Sequence, residues 1–374
     1  MTATADAVVL GGGVIGVAVA WRLAQRGVRV VVVDPAPGSG ATGTAAGMLA
    51  PVTELHYGEE PLLGLNISSA ARYPDFVEEL QAACGEDVGY RRTGTLVAAW
   101  DGADLATLRD LLALQLRLGL SARMLTATEV RDLEPATAPG LPGGVYAEDD
   151  HSVDPRRMHA GLVQAAGQRG AELRRARAVA VDERALTVHL DDGSELSAGT
   201  VVVAGGAWSP QLRPELPVRP VKGQTLRLRS TDVTLTRVLR GSVRGHPVYL
   251  VPRADGEVVV GASSEEAGFD LRPRAGAVHD LLRDAQALLP AITEMELLEV
   301  STGLRPGTPD NAPILGPAGL PGLVLATGHF RAGVLLAPVT ADLISGYLAT
   351  GELDERAAPF GPGRFSTVRQ EARR

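Results

Sequence analysis

The sequence predicts an α/β fold in which a parallel-sheet domain is interleaved with an antiparallel-sheet α+β domain. Three observations carry this reading. A β-α-β pattern fills the first thirty-four positions, and an apolar run at Val201-Val202-Val203 reads as a further buried parallel strand. The stretches between such runs alternate with period two, with hairpin turns at Asp191-Asp192-Gly193 and Asp255-Gly256. No Pro/Gly/Ser-rich linker marks a single boundary, so the two textures belong to interwoven units. The expected division gives residues 1–88, 146–215 and 301–374 to the parallel-sheet domain, and 89–145 and 216–300 to the antiparallel one.

In chain order, Ala7 to Leu10 reads as a short buried strand, followed by three glycines and a helix to about Gln25 that Gly27 closes. Val28 to Val33 is β-branched except at Arg29 and ends at Asp34. Pro35 to Thr44 is a loop. Leu62 to Cys84 and Leu105 to Leu118 have helical periodicity, and Gly89 to Ala99 reads as strands. Strands occupy Glu172 to Val203 and Pro217 to Ser263. A helix from Ala277 to Leu289 stops at Pro290, then come a Gly/Pro-rich loop, a strand at Leu323 to Ala326 and a helix from about Gly333 to Ala349.

Composition removes several function classes. The chain has 374 residues, 45% of them apolar, which is enough for a sizeable core. A net charge of −8 argues against nucleic acid or an anionic membrane as a partner. Lys222 is the only lysine, so Schiff-base chemistry has one candidate position. Cys84 is the only cysteine, which excludes intrachain disulfides and cysteine-cluster metal sites. No H-x-x-x-H pair occurs among the seven histidines, and no metal site is expected. The first charge is Asp6, glycines interrupt the apolar start, and no apolar run reaches eighteen residues. The expected compartment is the cytoplasm.

Gly11-Gly12-Gly13-Val14-Ile15-Gly16 fits G-x-G-x-x-G directly after a strand and at the head of a helix. Gly11 suits a tight turn, Gly13 close approach to a pyrophosphate, and Gly16 close helix–strand packing. The N–H groups of Val14 and Ile15 and the helix dipole favour an anion there. Asp34 stands twenty-three positions after Gly11, where a carboxylate accepts from ribose hydroxyls. The fingerprint alone leaves NAD and FAD both open. The small-residue stretch from Ala41 to Pro51 suits backbone lying along an extended cofactor, with Thr42, Gly43, Gly47, Met48 and Leu49 as contacts.

These motifs, with Tyr249-Leu250-Val251-Pro252-Arg253, Gly303-Leu304-Arg305-Pro306-Gly307-Thr308-Pro309-Asp310 and Thr327-Gly328-His329-Phe330-Arg331-Ala332-Gly333, resemble the D-amino-acid-oxidase-like flavoproteins. Within them the pattern is similar to the glycine oxidases of thiamine biosynthesis. The resemblance spans almost the whole chain in the family's order. It implies an FAD-binding Rossmann-like domain, noncovalent FAD, and oxidation of glycine or a similarly small amine to the imine. Oxygen would take the electrons and leave hydrogen peroxide, and the imine would hydrolyse to glyoxylate and ammonia or feed thiazole formation by a thiazole synthase. A homo-oligomer is also implied.

By that resemblance Arg305 binds the substrate carboxylate, a role for which a guanidinium's two parallel donors are suited. Tyr249 adds a phenol to the same carboxylate, and Arg331 lies where substrate meets flavin. The segment His329, Phe330, Arg331, Ala332, Gly333, Val334 and Leu335 is assigned to the flavin, its backbone N–H groups facing charge at the N1–C2=O edge. Val179 is assigned to adenine through its backbone, and Gly205 to the ribityl and pyrophosphate region. No general base is required of His329, because a neutral amine delivers hydride without one. His246 reads as a loop histidine. Departures are Asp34 where Glu is common, Ser301 where relatives often carry Trp, and Ala332 in place of a frequent Asn. Glycine, sarcosine and small D-amino acids all remain open as substrates. So do a dehydrogenase of the same fold with another electron acceptor and a noncatalytic nucleotide-binding protein.

Overall fold

The computed structural model describes residues 4–230 and 232–365. The extreme ends of the expected parallel-sheet domain, residues 1–3 and 366–374, lie outside them. Two large sheets organise the chain. The first has the order Ile314–Pro317, Leu323–Thr327, Glu195–Val203, Ala5–Leu10, Val30–Val33, Glu172–Arg174. Along this order the strands are parallel except for the Ile314–Pro317 pairing, and Thr187–Leu190 and Ala178–Asp182 add an antiparallel arm on Glu195–Val203. Val8, Val9, Val201, Val202 and Val203 are fully buried, as strands covered on both faces require. The opening helix Val14–Gln25, the helix Pro155–Gln168 and the last helix Ala337–Thr350 cover one face. Trp21, fully buried, meets the Phe76 ring edge-on there.

The second sheet has the order Glu296–Gly307, Arg219–Arg229, Glu257–Gly261, His246–Pro252, Val238–Val243, Thr95–Ala99, Gly143–Ala147, Arg123–Thr126. Only the Val238–Val243 pairing with Thr95–Ala99 is parallel. One face carries Leu226, Leu228, Leu239, Leu250 and Val260 against the helix Ala275–Leu288. Alternation turns the intervening residues, Arg240, Tyr249, Gly223 and Thr225 among them, toward the other face.

Several elements differ from the sequence reading. The helix expected over 62–84 is two, Glu60–Ala70 and Tyr73–Cys84, the second opening with Pro74 in its first turn. The helix Pro155–Gln168 was not expected, although Asp154 caps it by accepting from Arg156 and Arg157 N–H. The Gly/Pro-rich stretch after Pro290 contains the twelve-residue strand Glu296–Gly307. That strand pairs with Arg219–Arg229 along its length apart from a bulge at Leu298, so the antiparallel sheet continues across the boundary expected at residue 301. The last helix begins at Ala337, after a turn at Gly333–Leu336. Among the described residues no helix is long and apolar enough to cross a membrane, and no three His, Cys, Asp or Glu side chains cluster to hold a metal ion.

Candidate active site

A cavity of about 630 Å3 runs from the N-terminal β-α-β unit to the polar face of the antiparallel sheet. Gly11, Gly13, Val14, Ile15 and Asp34 line its first end. Gly11 has φ +116°, and a Cβ there would sit 2.7 Å from the Ala204 carbonyl carbon, so only glycine lets the two strand ends meet. The Val14 N–H is taken by Thr42 Oγ1 at 3.0 Å and Val17 N–H by the Gly13 carbonyl, so Ile15 N–H is the first-turn donor on the cavity wall left to a ligand. Asp34 accepts from Gly12 N–H and Ala36 N–H, both at 2.7 Å, which fixes its carboxylate on the cavity wall. His159, absent from the sequence reading, fixes the loop from behind through Nε2 at 2.8 Å from the Gly12 carbonyl.

Thr42, Gly47, Met48, Gly205, His329, Phe330, Arg331, Gly333 and Val334 also line the cavity. Tyr73 donates its hydroxyl to the Val334 carbonyl, and Ser69 Oγ donates to the Leu335 carbonyl at 2.6 Å. With those carbonyls held from behind, the N–H groups of Gly333, Val334 and Leu335 have no acceptor among the described residues. They form a ready donor set in the turn before the last helix. The glycine-lined cradle, the open helix turn and this second donor set suit an extended dinucleotide with anionic character at both places. The buried His329 imidazole is held neutral. Burial lowers its pKa to about 3, and its Nε2 lies 3.0 Å from Thr340 Oγ1.

Other expected contacts sit off the wall. Gly16, Leu49, Ala332 and Leu335 lie outside the cavity lining, and Gly43 lines a smaller opening beside it. A Cβ on Gly16 would run into the Gly11 carbonyl, so its role is helix–strand packing. Val179 is 52% exposed. Its strand, Ala178–Asp182, leaves the main sheet, and alternation turns residue 179 outward while Arg177 and Ala178 reach the wall. Ser301 faces the smaller opening, bonded to Glu299 and 3.3 Å from Arg156, so it does not shape the main cavity. His246 is exposed at a strand start.

The antiparallel sheet builds the other end. Register places Arg240 opposite Tyr249, Tyr249 opposite Gly261, and Gly261 opposite Thr225. Arg305 lies inside its strand, and its guanidinium rests over Gly223 while Nη1 donates to the Ser263 carbonyl at 3.1 Å. Ser263 is itself fixed by two bonds to Gln224, at 2.9 and 3.2 Å. Burial raises the Tyr249 phenol pKa although Arg305 lies close, so the hydroxyl stays a donor.

Glu54 and His56, also on the wall, were not found from sequence. Glu54 pairs with Arg240 at 3.1 Å. Arg331 pairs with Glu59, which also accepts from Asn311 at 2.8 Å. Burial alone would raise the Glu59 carboxyl, but those two bonds hold it below its usual range. Burial, aided by Arg331, lowers the His56 imidazole. Arg177 is on the wall beside the expected adenine strand; of the three arginines at the antiparallel-sheet end, Arg240, Arg305 and Arg331, only Arg305 has no carboxylate partner among the described residues. This end therefore offers one cation that no carboxylate of the described residues opposes.

The FAD dependent oxidoreductase family, DAO, matches residues 6–346. The glycine oxidase of Geobacillus kaustophilus is 34% identical over 96% of this chain and 97% of that protein. The bifunctional protein ThiO/ThiG of Synechocystis is 35% identical over 98% of this chain but 55% of its own length, so this chain spans about half of that relative. The crystal structure of glycine oxidase from Geobacillus kaustophilus superposes with a TM-score of 0.89 at 32% identity, covering 96% of this chain and 98% of that one.

Proposed function

Since this chain belongs to the FAD-dependent oxidoreductase family and is a flavoprotein of the amino acid oxidase kind, we propose that it oxidises glycine or a similarly small amino acid with oxygen as acceptor. Glycine and O2 give the imine and H2O2, and water then converts the imine to glyoxylate and ammonia. Bound FAD supplies the hydride acceptor. Noncovalent attachment accords with Cys84, the only cysteine, being buried in the core of the first sheet. The observation that carries the reading is the Arg305 guanidinium, without a carboxylate partner among the described residues, beside the Tyr249 hydroxyl and in one cavity with the dinucleotide cradle.

Arg305 would take the two carboxylate oxygens and Tyr249 would donate to one of them, orienting the α-carbon toward the flavin. Gly333, Val334 and Leu335 would offer N–H groups to the flavin edge where negative charge gathers. The Asp34 carboxylate would accept from ribose, and the Gly11–Ile15 turn would hold the pyrophosphate. Release of the imine into thiazole formation, with a thiazole synthase as partner, is proposed on the strength of the ThiO/ThiG relative; a cytoplasmic setting and a homo-oligomeric enzyme are proposed on the family resemblance alone.

The test is peroxide release under air from a panel of glycine, sarcosine and D-alanine, read alongside the visible flavin spectrum. Peroxide with at least one of these amines is the expected result. Turnover only with an artificial dye acceptor would make the protein a dehydrogenase. A colourless protein that takes up no FAD would overturn the reading.

A further inference from the structure

The substrate end holds an ion pair that amino acid oxidation does not require. Glu54 and Arg240 lie 3.1 Å apart, each 16% exposed, and both face the cavity beside Tyr249. Arg240's other close contact is the Met48 sulfur at 3.8 Å, which carries no charge. Glu54 is delivered by an irregular segment anchored from below. The buried Asp150 accepts from Val52 N–H at 3.0 Å and Thr53 N–H at 2.6 Å, and Gln115 donates to the Val52 carbonyl at 2.9 Å. Thr95 in turn bonds the Asp150 carbonyl at 3.1 Å. A carboxylate held this firmly against a cavity guanidinium cancels it permanently rather than by chance encounter.

Resting on the amino acid reading above, we propose that Glu54 is a specificity-determining residue. By neutralising Arg240 it leaves the substrate end with one unopposed cation, Arg305, and so confines the enzyme to amines bearing a single acid group. A second carboxylate on the substrate would meet Glu54 as a like charge, and Arg240 would be unable to turn from its partner. Glu54→Gln keeps the shape, removes the charge and frees Arg240 to accept that second acid.

The experiment compares glycine with iminodiacetate, an achiral N-carboxymethyl glycine that carries a second acid group. In E54Q the ratio of kcat/KM for iminodiacetate over glycine is expected to rise about tenfold or more relative to the unmodified enzyme. The rise should vanish in the double variant E54Q/R240M. Binding of acetate and malonate, read from perturbation of the flavin spectrum, reports the same preference without turnover, so it decides the matter even if none of these amines is a substrate. There E54Q should gain malonate affinity over acetate, and R240M alone, leaving Glu54 unopposed, should weaken acetate. An unchanged malonate-to-acetate preference in flavin-loaded E54Q, or a gain that persists in the double variant, overturns the proposal.

Discussion

The Arg305 guanidinium lies flat over Gly223, so closely that a Cβ on residue 223 would stand 2.6 Å from Cζ and 2.7 Å from Nη2. The two residues sit on adjacent strands, Gly223 opposite Gly303 and Arg305 opposite Val221, and the missing side chain is what lets the long arginine fold across the sheet. Gly223→Ala therefore displaces the guanidinium without removing it. The expected outcome is a KM for glycine raised about 10-fold or more, with flavin content unchanged. Steady-state kinetics beside the flavin-to-protein absorbance ratio check it, and an unaltered KM would show that the arginine does not hold substrate.

Substitution of Arg305 itself separates charge from geometry. Lysine keeps the positive charge but loses the two-pronged donor set, and its ammonium cannot reach both substrate oxygens in one plane. Arg305→Lys is expected to raise KM by about 10-fold and Arg305→Ala by about 100-fold, since a charge-assisted pair contributes roughly 1.5–3 kcal/mol. Both variants should retain FAD, because the cradle at Gly11–Ile15 lies at the far end of the cavity. Equal KM values for the two variants would mean the positive charge contributes nothing.

Arg253 closes the motif that begins at Tyr249, yet it is not among the cavity-lining residues. It is 7% exposed, and its Nη1 and Nη2 donate to the Val153 carbonyl at 3.0 Å and the Ala46 carbonyl at 2.6 Å. It thus ties the antiparallel sheet to the segment around Ala46 that lines the cavity. Burial lowers its pKa to about 10, with Asp154 opposing, so the charge persists at neutral pH. Arg253→Ala strands two buried carbonyls and is expected to cost about 2–4 kcal/mol. Denaturant unfolding would show the loss, and FAD titration a weaker affinity, while KM for glycine at saturating FAD should change little.

The cradle was legible because its glycines have local causes: Gly11, Gly13 and Gly16 lie in one turn, and their tasks follow from it. The substrate end was legible only where a resemblance supplied Tyr249 and Arg305. Its other half depends on strand register. The turn at Arg244-Gly245, with φ of +54° and +80°, closes a two-residue hairpin in which Val243 meets His246. Counting outward from that turn puts Arg240 opposite Tyr249, so the signal existed, although arginine at the first turn position disguised it. Glu54 and His56 had no comparable signal, since they lie on irregular chain positioned by Asp150 almost a hundred residues away. The strand Glu296–Gly307 was read as loop because Gly303, Pro306 and Gly307 mimic turn composition. Those glycines serve the sheet instead: Gly303 makes room for Thr44, whose Oγ1 would lie 2.7 Å from a Cβ there.

Asp150 gives the fold a pH signature of definite sign. Burial raises its carboxyl from 3.8 to about 6, outweighing the N–H bonds from Thr53 and Val52 and the nearby charge of Arg240. A carboxyl raised on folding binds its proton more tightly in the native state, so its contribution to stability is full below about pH 4 and is lost as pH rises through about 6. The shift corresponds to roughly 3 kcal/mol at most. Asp150→Asn cannot titrate. The difference in unfolding free energy between the unmodified protein and D150N should therefore be larger at about pH 4.5 than at about pH 7, in favour of the unmodified protein. Other groups, the buried His329 included, titrate in both proteins and cancel from that difference. Urea melts at a series of pH values measure it, and a difference that stays flat, or grows toward neutral pH, would show that the carboxylate is held charged beneath the Glu54 segment.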